Sequence, residues 1–267
     1  WAGVLAATYG YKPIYLTSFD GDRFSFLMPL MEVRSPLTGR RGISLPFTDR
    51  CVPFTTEAGL LRSGIDWAID HGRRSGWRYV EWRDGAYFDE NVPESESFYT
   101  HDLSLGMNEA GRFATLKDST RRNITRAMES GVTVEIDRSL DAVKAFYRLN
   151  CITRRRHGLP PQPYAFFRNI HTHILAKDNG FVISARHGEK IIAAAVFFHF
   201  GTSAIYKYGA SDMAYSKWRP NNLVMWEAIR WYESRDFETL DMGRTEPDNS
   251  GLRRYKLGWG THESVIK

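Results

Sequence analysis

The sequence predicts a mixed α/β (α+β) fold in two domains, each with a mostly antiparallel central sheet flanked by helices. Three strand-like segments follow one another through connections of only four and two residues, His187–Lys190 and Gly201–Thr202. Such short connections join antiparallel neighbours. Segments with helical spacing precede and follow this meander. The 267 residues are enough for two domains of ordinary size, which we place at residues 1–117 and 118–267.

The predicted first domain consists mainly of strands. A hairpin turn at Asp20-Gly21-Asp22 separates two apolar segments, and apolar residues recur at helical spacing between Glu57 and Gly72. The acidic, polar stretch at residues 84–97 predicts a surface loop. Because the chain opens at Trp1 without a methionine, we expect this domain to be truncated at its start. Its predicted strands are Tyr11–Phe19, Arg23–Val33, Ile43–Phe47, Trp77–Trp82 and Tyr99–Leu105.

The predicted second domain holds most of the helices. Asp118 or Ser119 can cap a first helix that stops at Gly131, and residues 140–156 form a long amphipathic helix. Pro220 suits the first turn of another helix, where its missing N–H costs nothing. The other predicted elements are strand Val132–Ile136, helix Tyr164–Lys177, strands Phe181–Arg186, Ile191–Phe200 and Ser203–Ala210, strand Phe237–Met242, helix Gly251–Leu257 and a last strand.

Composition and charge limit the possible classes of protein. With 42% hydrophobic and 25% charged residues, the chain can build packed cores and is not of disordered composition. No apolar run approaches the roughly 18 residues of a membrane span. Cys51 and Cys151 have no metal-ligand or disulfide spacing, which favours a reduced setting. Residues 121–156 hold nine Arg or Lys against four acids, which suits a phosphate-bearing partner or an ordinary solvated helix face.

Four segments in the second half of the chain form a distinctive set: Leu240–Pro247, Gly251–Gly260, Ala204–Asp212 and Arg219–Ile229. They resemble the FemAB-like branch of the GNAT acyltransferase superfamily, and the resemblance is most specific in the first two. A weaker similarity at Ile43–Phe47 extends it over nearly the whole chain. The resemblance implies tandem GNAT-like domains, of which the first would be a degenerate copy and the second would hold the active site.

The resemblance implies an acyltransferase or aminoacyltransferase that forms an amide on an amine. The best-known members use aminoacyl-tRNA as donor and a peptidoglycan precursor as acceptor, and others belong to exopolysaccharide and envelope biogenesis. The acceptor is therefore expected to be a precursor-linked or polysaccharide-linked amine. No metal or cofactor besides the donor is expected. We predict a cytoplasmic location, with peripheral contact with the inner face of the plasma membrane as an alternative.

Lys256 is the predicted catalytic residue. Acyl transfer passes through a tetrahedral intermediate with negative charge on oxygen, and losing one donor to that oxygen typically costs about 2.7–4 kcal/mol. The resemblance implies an active-site lysine in the segment that contains Lys256. Arg253, Arg254 and Arg244 could hold a phosphate nearby, or could form structural ion pairs, for example with Asp241.

Further candidate substrate-binding residues come from the meander and from the resemblance. Strand periodicity places Tyr206 and Tyr208 on one face, with Tyr208 near Asp212, where GNAT folds open to hold the acyl group. Asp212 and Asp241 are candidate general bases. The resemblance implies a binding role for Tyr164. The arginine that precedes this tyrosine in members using nucleotide precursors falls here in a proline-rich break, so arginines such as Arg156 would have to compensate.

The donor is inferred from a missing glycine-rich loop. Acyl-CoA-dependent GNAT enzymes bind pyrophosphate through the free amides of such a loop at a helix N-terminus. Residues 215–222 contain no glycine, and Pro220 removes an amide. Coenzyme A could still bind through Arg219 and the amides of Asn221 and Asn222, but aminoacyl-tRNA is favoured. Acyl-CoA or an acyl carrier protein stays as an alternative donor, and a non-catalytic RNA- or envelope-binding protein as an alternative class.

Overall fold

The computed structural model describes residues 1–84 and 95–267, which divide into two compact units. Unit 1 comprises Trp1–Ser97 with Ile266–Lys267, and unit 2 comprises Phe98–Val265. Most of the loop predicted at residues 84–97 lies outside the described residues. No helix of the described part of the chain is long and apolar enough to cross a membrane.

Unit 1 is a small sheet with one long helix against it. The predicted hairpin is confirmed, since Asp20 pairs with Arg23 across the turn. The sheet order is β1-β2-β3-β5, with β4 paired to β2. The elements are α1 (Ala2–Tyr9), β1 (Lys12–Asp20), β2 (Arg23–Ser35), β3 (Gly39–Ile43), β4 (Phe54–Thr55), α2 (Ala58–Ser75) and β5 (Val80–Glu81).

Three predictions for unit 1 were wrong. Helix α1 was missed because its eight mostly apolar and small residues show no amphipathic pattern. The strand predicted over Ile43–Phe47 ends at Ile43, because Pro46 has no N–H to donate and Thr48 turns back to bond the Leu45 carbonyl at 3.3 Å. The strand predicted over Trp77–Trp82 is reduced to Val80–Glu81.

Unit 2 contains a seven-stranded sheet in the order β12-β6-β11-β10-β9-β8-β7. The amphipathic helix predicted at Leu140–Arg156 has those bounds in the structure. The elements of unit 2 are β6 (Phe98–Ser104), α3 (Glu109–Thr115), α4 (Asp118–Glu129), β7 (Val132–Asp137), α5 (Leu140–Arg156), α6 (Tyr164–His173), β8 (Gly180–His187), β9 (Lys190–Phe200), β10 (Ser203–Ser211), α7 (Pro220–Glu233), β11 (Thr239–Thr245), α8 (Ser250–Leu257) and β12 (His262–Ile266), with 3-10 helices at Leu175–Lys177 and Met213–Trp218.

The boundary between the compact units, at residues 97 and 98, precedes the predicted boundary at residues 117 and 118 by about 20 residues. Strand β6, which the sequence assigned to the first domain, pairs antiparallel with β11 of unit 2. Helix α3, which was not predicted, also lies before residue 118 in unit 2. Pairing between strands so far apart in the chain leaves no local signal in the sequence, so the sequence could not assign β6 to its sheet. The domain ranges 1–117 and 118–267 stay a prediction.

Helices cover both faces of the unit 2 sheet. One face packs against α4 and α7, with Phe181, Phe197 and Trp226 among its buried residues. On the other face, Phe146 of α5 and Phe167 of α6 are fully buried with ring centroids 5.5 Å apart. Burying each such side chain contributes about 1.5–3 kcal/mol, so both helix layers hold the sheet rigidly.

The same strand order occurs in both units. In unit 1, β1, β2 and β3 are successive antiparallel neighbours, and α2 crosses over to β5, which is parallel to β3. In unit 2, β8, β9 and β10 are successive antiparallel neighbours, and α7 crosses over to β11, which is parallel to β10. The mixed α/β fold with tandem units of one topology is thereby confirmed.

Candidate active site

The candidate site lies where strands β10 and β11 stop pairing. Their parallel register covers only Ser203–Ile205 against Thr239–Asp241, although β10 runs on to Ser211 and β11 to Thr245. On its other edge β11 is paired with β6, both at Thr239–Asp241 and beyond this point at Arg244–Thr245. We call the opening between residues 206–211 and 242–245 the splay. Where two neighbouring strands part, their main-chain N–H and C=O groups are no longer paired with each other and can bond a ligand.

A β-bulge at Lys207 separates the two tyrosines of β10. Tyr206 pairs with Phe197, and Tyr208 pairs with the very next residue, Val196. The extra residue reverses the alternation of side chains, so the prediction that Tyr206 and Tyr208 share a face was wrong. Tyr206 packs against Phe197 of β9 on the face of the sheet that α7 covers, with ring centroids 5.3 Å apart. Tyr208 packs against Phe146, Phe166 and Phe167 in the α5 and α6 layer.

The phenols of Tyr206 and Tyr255 lie near each other at the splay. A Cβ placed on Gly209 would overlap the Tyr206 hydroxyl, so this side chain folds over the backbone of its own strand. Burial raises the pKa of Tyr206 to about 12. Burial, and then the neighbouring Tyr206, raise the pKa of Tyr255 well above its ordinary value. Both groups are therefore protonated donors at neutral pH, and Tyr255 donates to the Asn221 carbonyl at 3.3 Å.

Lys256 is buried, with 2% of its surface exposed. Its Nζ donates to the main-chain carbonyls of Gly243 at 2.7 Å and Arg244 at 2.8 Å. Such hydrogen bonds from a charged donor are strong, and they offset part of the free energy that burial of the ammonium costs. The amine is thus not in bulk solvent, and its contact with a substrate carbonyl stays a prediction.

The carbonyls that hold Lys256 belong to an irregular stretch of β11. The register with β6 shifts between Asp241 and Arg244, and Gly243 has a φ of 75°, which glycine adopts without strain. The Asp241 carboxylate accepts a hydrogen bond from the Gly243 amide at 2.6 Å. Arg244 lies over the ring of Phe98, with its guanidinium carbon 4.0 Å from the centroid. Asp241 and Lys256 therefore fix the backbone from which Arg244 projects.

Arg253 is paired and does not present an open phosphate site. Its Nε and Nη2 donate to the two oxygens of Glu263 at 2.7 and 2.6 Å, and its guanidinium lies over Tyr99. These hydrogen bonds lower the pKa of Glu263. Glu263 also contacts fully buried His101 at 3.0 Å, and burial, followed by the charge of Lys256, lowers the pKa of His101. Of the two roles expected for Arg253, the structure therefore shows the structural ion pair. Its partner is Glu263 and not Asp241, the example named from the sequence.

The arginines expected to converge on one phosphate have different surroundings. Arg244 is stacked on a ring, Arg253 is in a bidentate ion pair, and Arg254 is exposed. Arg156, at the end of α5, is also exposed and contacts the ring of His157 at 3.0 Å. Tyr164 begins α6 with its ring 5.3 Å from that of Tyr147, and its buried hydroxyl has no hydrogen-bond partner among the described residues. The contacts of these residues do not join them into one cluster.

The segment before α7 is a 3-10 helix whose amides are largely used. Asp212 caps it, because its carboxylate accepts from the Ala214 amide at 3.0 Å, and it also contacts Lys190 at 3.4 Å. The amides of Arg219 and Asn222 donate to the Ser216 and Arg219 carbonyls, both at 3.0 Å. The expectation that the Asn222 amide is free was therefore wrong, because the tight 3-10 turn into α7 consumes it.

Asn221 lies where the splay meets the start of α7. Its side-chain amide donates to the Ser211 hydroxyl at 3.2 Å, while its carbonyl accepts from Tyr255. Sequence reasoning missed Ser211, His101 and Glu263, since they reach the site only through sheet pairing. The nearest available signal was Gly209 beside two tyrosines, a glycine inside a strand that marks a bulge or a close approach.

Known proteins resemble this chain in sequence and in fold. The family described as "Acetyltransferase (GNAT) domain" matches residues 114–257, more than half of the chain. A curated relative, "Lipid II:glycine glycyltransferase" of Staphylococcus haemolyticus (strain JCSC1435), is 30% identical over 102 residues, covering 36% of this chain and 24% of the relative. The chain thus spans about a quarter of the length of that relative.

Solved structures share the fold at low sequence identity. The crystal structure of FemX has a TM-score of 0.75 at 16% identity, covering 99% of this chain and 88% of that one. The L-PGS structure from Bacillus licheniformis has a TM-score of 0.64 at 12% identity, covering 98% and 84%. A tandem GNAT protein from the clavulanic acid biosynthesis pathway has a TM-score of 0.61 at 9% identity, covering 96% and 81%. The family match over residues 114–257 shows that the chain belongs to the GNAT acyltransferase family, in which its similarity is to the FemAB-like branch.

Proposed function

We propose that this protein is an amide-forming aminoacyltransferase of cell-wall or envelope biogenesis, with an aminoacyl-tRNA-like donor. The observation that carries the proposal is the splay, where protonated Tyr206 and Tyr255 lie beside the backbone that holds Lys256. A donor carbonyl in the splay would meet the Tyr206 hydroxyl as a hydrogen-bond donor, because the Tyr255 hydroxyl already donates to the Asn221 carbonyl, and an amine would attack the carbonyl there. Such positioned donors are the largest single source of rate in many acyl transfers.

The proposed reaction forms a C–N bond and breaks the C–O bond of the donor ester. The acceptor nitrogen attacks the carbonyl carbon, and the proton that it loses ends on the leaving hydroxyl of the donor. The Tyr206 hydroxyl makes no hydrogen bond within the described residues, so it has a proton to offer to the oxyanion. Lys256 would reach the same oxygen by exchanging one of its carbonyl acceptors, which agrees with the active-site lysine that the family resemblance implies.

The acyl-CoA alternative is less well supported. Pyrophosphate binding requires free amides at the helix N-terminus, but at the start of α7 Pro220 has no amide N–H and the Asn222 amide is bonded to the Arg219 carbonyl. The basic segment 121–156 and the cations at residues 217 and 219 favour a larger polyanion. The match to a family described as acetyltransferases is the observation that favours acyl-CoA.

The acceptor is proposed from the relative whose name contains lipid II. A peptidoglycan precursor amine is the first choice, and a polysaccharide-linked amine is the second. These acceptors agree with a cytoplasmic protein working at the inner face of the membrane. Asp212 and Asp241 are weaker candidates for a general base than expected, because each caps a backbone amide. The substrates themselves would then move the proton.

A transfer assay tests the proposal. Purified protein is incubated with lipid II and either a panel of charged tRNAs or acetyl-CoA, and the products are analysed by mass spectrometry. We expect one amino acid added in amide linkage from at least one tRNA and no product from acetyl-CoA. Acetylated product together with saturable micromolar coenzyme A binding would assign the alternative donor. If no product forms and cells carrying Lys256→Ala have the wild-type phenotype, the result would favour the alternative of a non-catalytic RNA- or envelope-binding protein.

A further inference from the structure

A surface of stacked rings and cations borders the start of α7. It consists of His187 and Lys190 from the β8–β9 turn and Tyr215, Lys217 and Trp218 from the 3-10 helix. The His187 and Trp218 rings stack with centroids 3.9 Å apart and planes inclined by 12°. Tyr215 and Trp218 are neighbours at 5.3 Å. We call these five residues the ring-and-cation surface.

The cations of this surface sit on its rings. Lys190 donates to the Tyr215 hydroxyl at 2.7 Å and lies 4.3 Å from the ring centroid, while Lys217 lies 4.9 Å from that of Trp218. Lys190 forms an ion pair with Asp212 at 3.4 Å, Glu189 precedes it in the same turn, and residues 213–219 contain no acid. All three rings are partly exposed, and both lysines are exposed. The surface therefore offers aromatic area and positive charge together.

The position of this surface relates it to the splay. The 3-10 helix that carries Tyr215 and Trp218 connects the end of β10 to the start of α7, and both of these border the splay. It replaces the glycine-rich loop expected of an acyl-CoA enzyme, and the amides of Ala214, Tyr215 and Arg219 are bonded within the segment. A ligand bound here would therefore be recognised through rings and side-chain charge rather than through backbone amides.

We propose that the ring-and-cation surface binds the single-stranded 3′ end of an RNA, and this rests on the proposed aminoacyl-tRNA donor. Unpaired bases stack on aromatic rings without regard to sequence, and lysines meet the phosphates between them. The acyl ester of such a donor is on its last nucleotide, so this strand must lie beside the site of transfer. Interleaved rings and cations match that strand better than a base-paired stem, whose bases are not available for stacking.

A direct binding measurement tests this inference. Fluorescence anisotropy compares a labelled, uncharged RNA hairpin carrying a four-nucleotide 3′ overhang with the same hairpin made blunt. We expect tighter binding of the overhang RNA, with Trp218→Ala and His187→Ala each weakening that binding about tenfold or more and leaving the blunt hairpin unchanged. Lys217→Gln should weaken the binding less and reduce its salt dependence.

The matched control is Trp67→Ala on α2 of unit 1. Trp67 is 38% exposed and stacks on His71 with centroids 4.7 Å apart and planes inclined by 7°, so the substitution removes a similar ring pair. We expect unchanged RNA affinity. Circular dichroism checks that each variant folds, and if Trp218→Ala does not, Lys190→Gln and Lys217→Gln, which keep the rings, decide the question.

Several results would overturn the inference. Equal affinity for overhang and blunt RNA would show that charge alone is at work, and tight binding of coenzyme A lost in Trp218→Ala would assign the surface to a different nucleotide. Binding to phosphatidylglycerol vesicles but not to RNA would make it a membrane surface. If the wild type transfers from charged tRNA while the ring variants keep full RNA affinity, this inference fails and the proposed function stands. Absence of both transfer and RNA binding would reject both.

Discussion

The two units share one strand order but differ at the end of their parallel strands. In unit 1, β3 is five residues long and pairs with β5 at two positions. In unit 2, β10 is nine residues long, contains a bulge and continues into the 3-10 helix and α7. Within the described residues, the repeated framework thus carries the candidate site in the unit 2 copy. Topology sets where a site can form, and the local residues decide whether it does.

One buried charge in each unit shows the same contrast. In unit 1, Glu32 is 5% exposed and accepts from Trp77 and Arg34, both at 2.8 Å. Burial would raise the pKa of Glu32, but these two hydrogen bonds lower it overall. In unit 2, buried Lys256 has main-chain carbonyls of the irregular strand β11 as partners. Side chains fix the unit 1 charge inside its own fold, whereas the unit 2 charge fixes the backbone beside the splay.

The largest expected effect concerns these two charges. Lys256→Met should lower the rate of transfer about 100-fold or more, because it removes a cationic donor and frees the backbone of β11. Glu32→Gln should lower stability and leave the transfer rate per folded molecule unchanged. Steady-state kinetics and thermal unfolding of both variants measure this. If the Lys256→Met variant keeps the wild-type kcat, Lys256 takes no part in the mechanism and its role is structural.

A pair of glycine substitutions sharpens the comparison. A Cβ at Gly209 would meet the hydroxyl end of Tyr206, whereas a Cβ at Gly42 would meet the ring of Trp77. Gly209→Ala should therefore displace one phenol and lower kcat about tenfold with little change in Tm. Gly42→Ala should destabilise unit 1 by about 1–3 kcal/mol through overpacking. The opposite pattern, with activity lost only in Gly42→Ala, would move the site away from the splay.

The smallest expected effect is on stability in acid. Hydrogen bonds from Arg253 lower the pKa of Glu263, so its stabilising contribution is complete above the unfolded pKa of about 4.3 and is lost as pH falls through the folded value. Glu263→Gln should flatten the acid limb of the stability curve. Glu32→Gln should do the same in unit 1, because the pKa of Glu32 is also lowered. Urea unfolding from pH 7 to pH 3 measures both, and an unchanged acid limb would contradict the assigned ion pairs.

Sequence alone was sufficient where signals are local. The hairpin at Asp20–Arg23 and the helix at Leu140–Arg156 follow from turn chemistry and apolar spacing within a few residues. The family resemblance supplied the tandem fold and directed attention to residues 240–260. Strand order then required the structure, because β6 joins β11 across more than 130 residues of chain.

The site was less predictable because its geometry depends on irregularities. The bulge at Lys207 reverses the side-chain pattern of β10, and simple alternation therefore put Tyr206 and Tyr208 together. Burial of Lys256 and pairing of Arg253 with Glu263 depend on how α8 packs beside β11 and β12. Nothing in the spacing of these residues records that packing.

Tyr206→Phe is the most direct test of the splay as the place of acyl transfer. The substitution removes only a hydroxyl that has no hydrogen-bond partner within the described residues, so Tm should not fall. We predict a decrease in kcat of about 10- to 100-fold with lipid II and charged tRNA. An unchanged kcat in this folded variant would contradict the account.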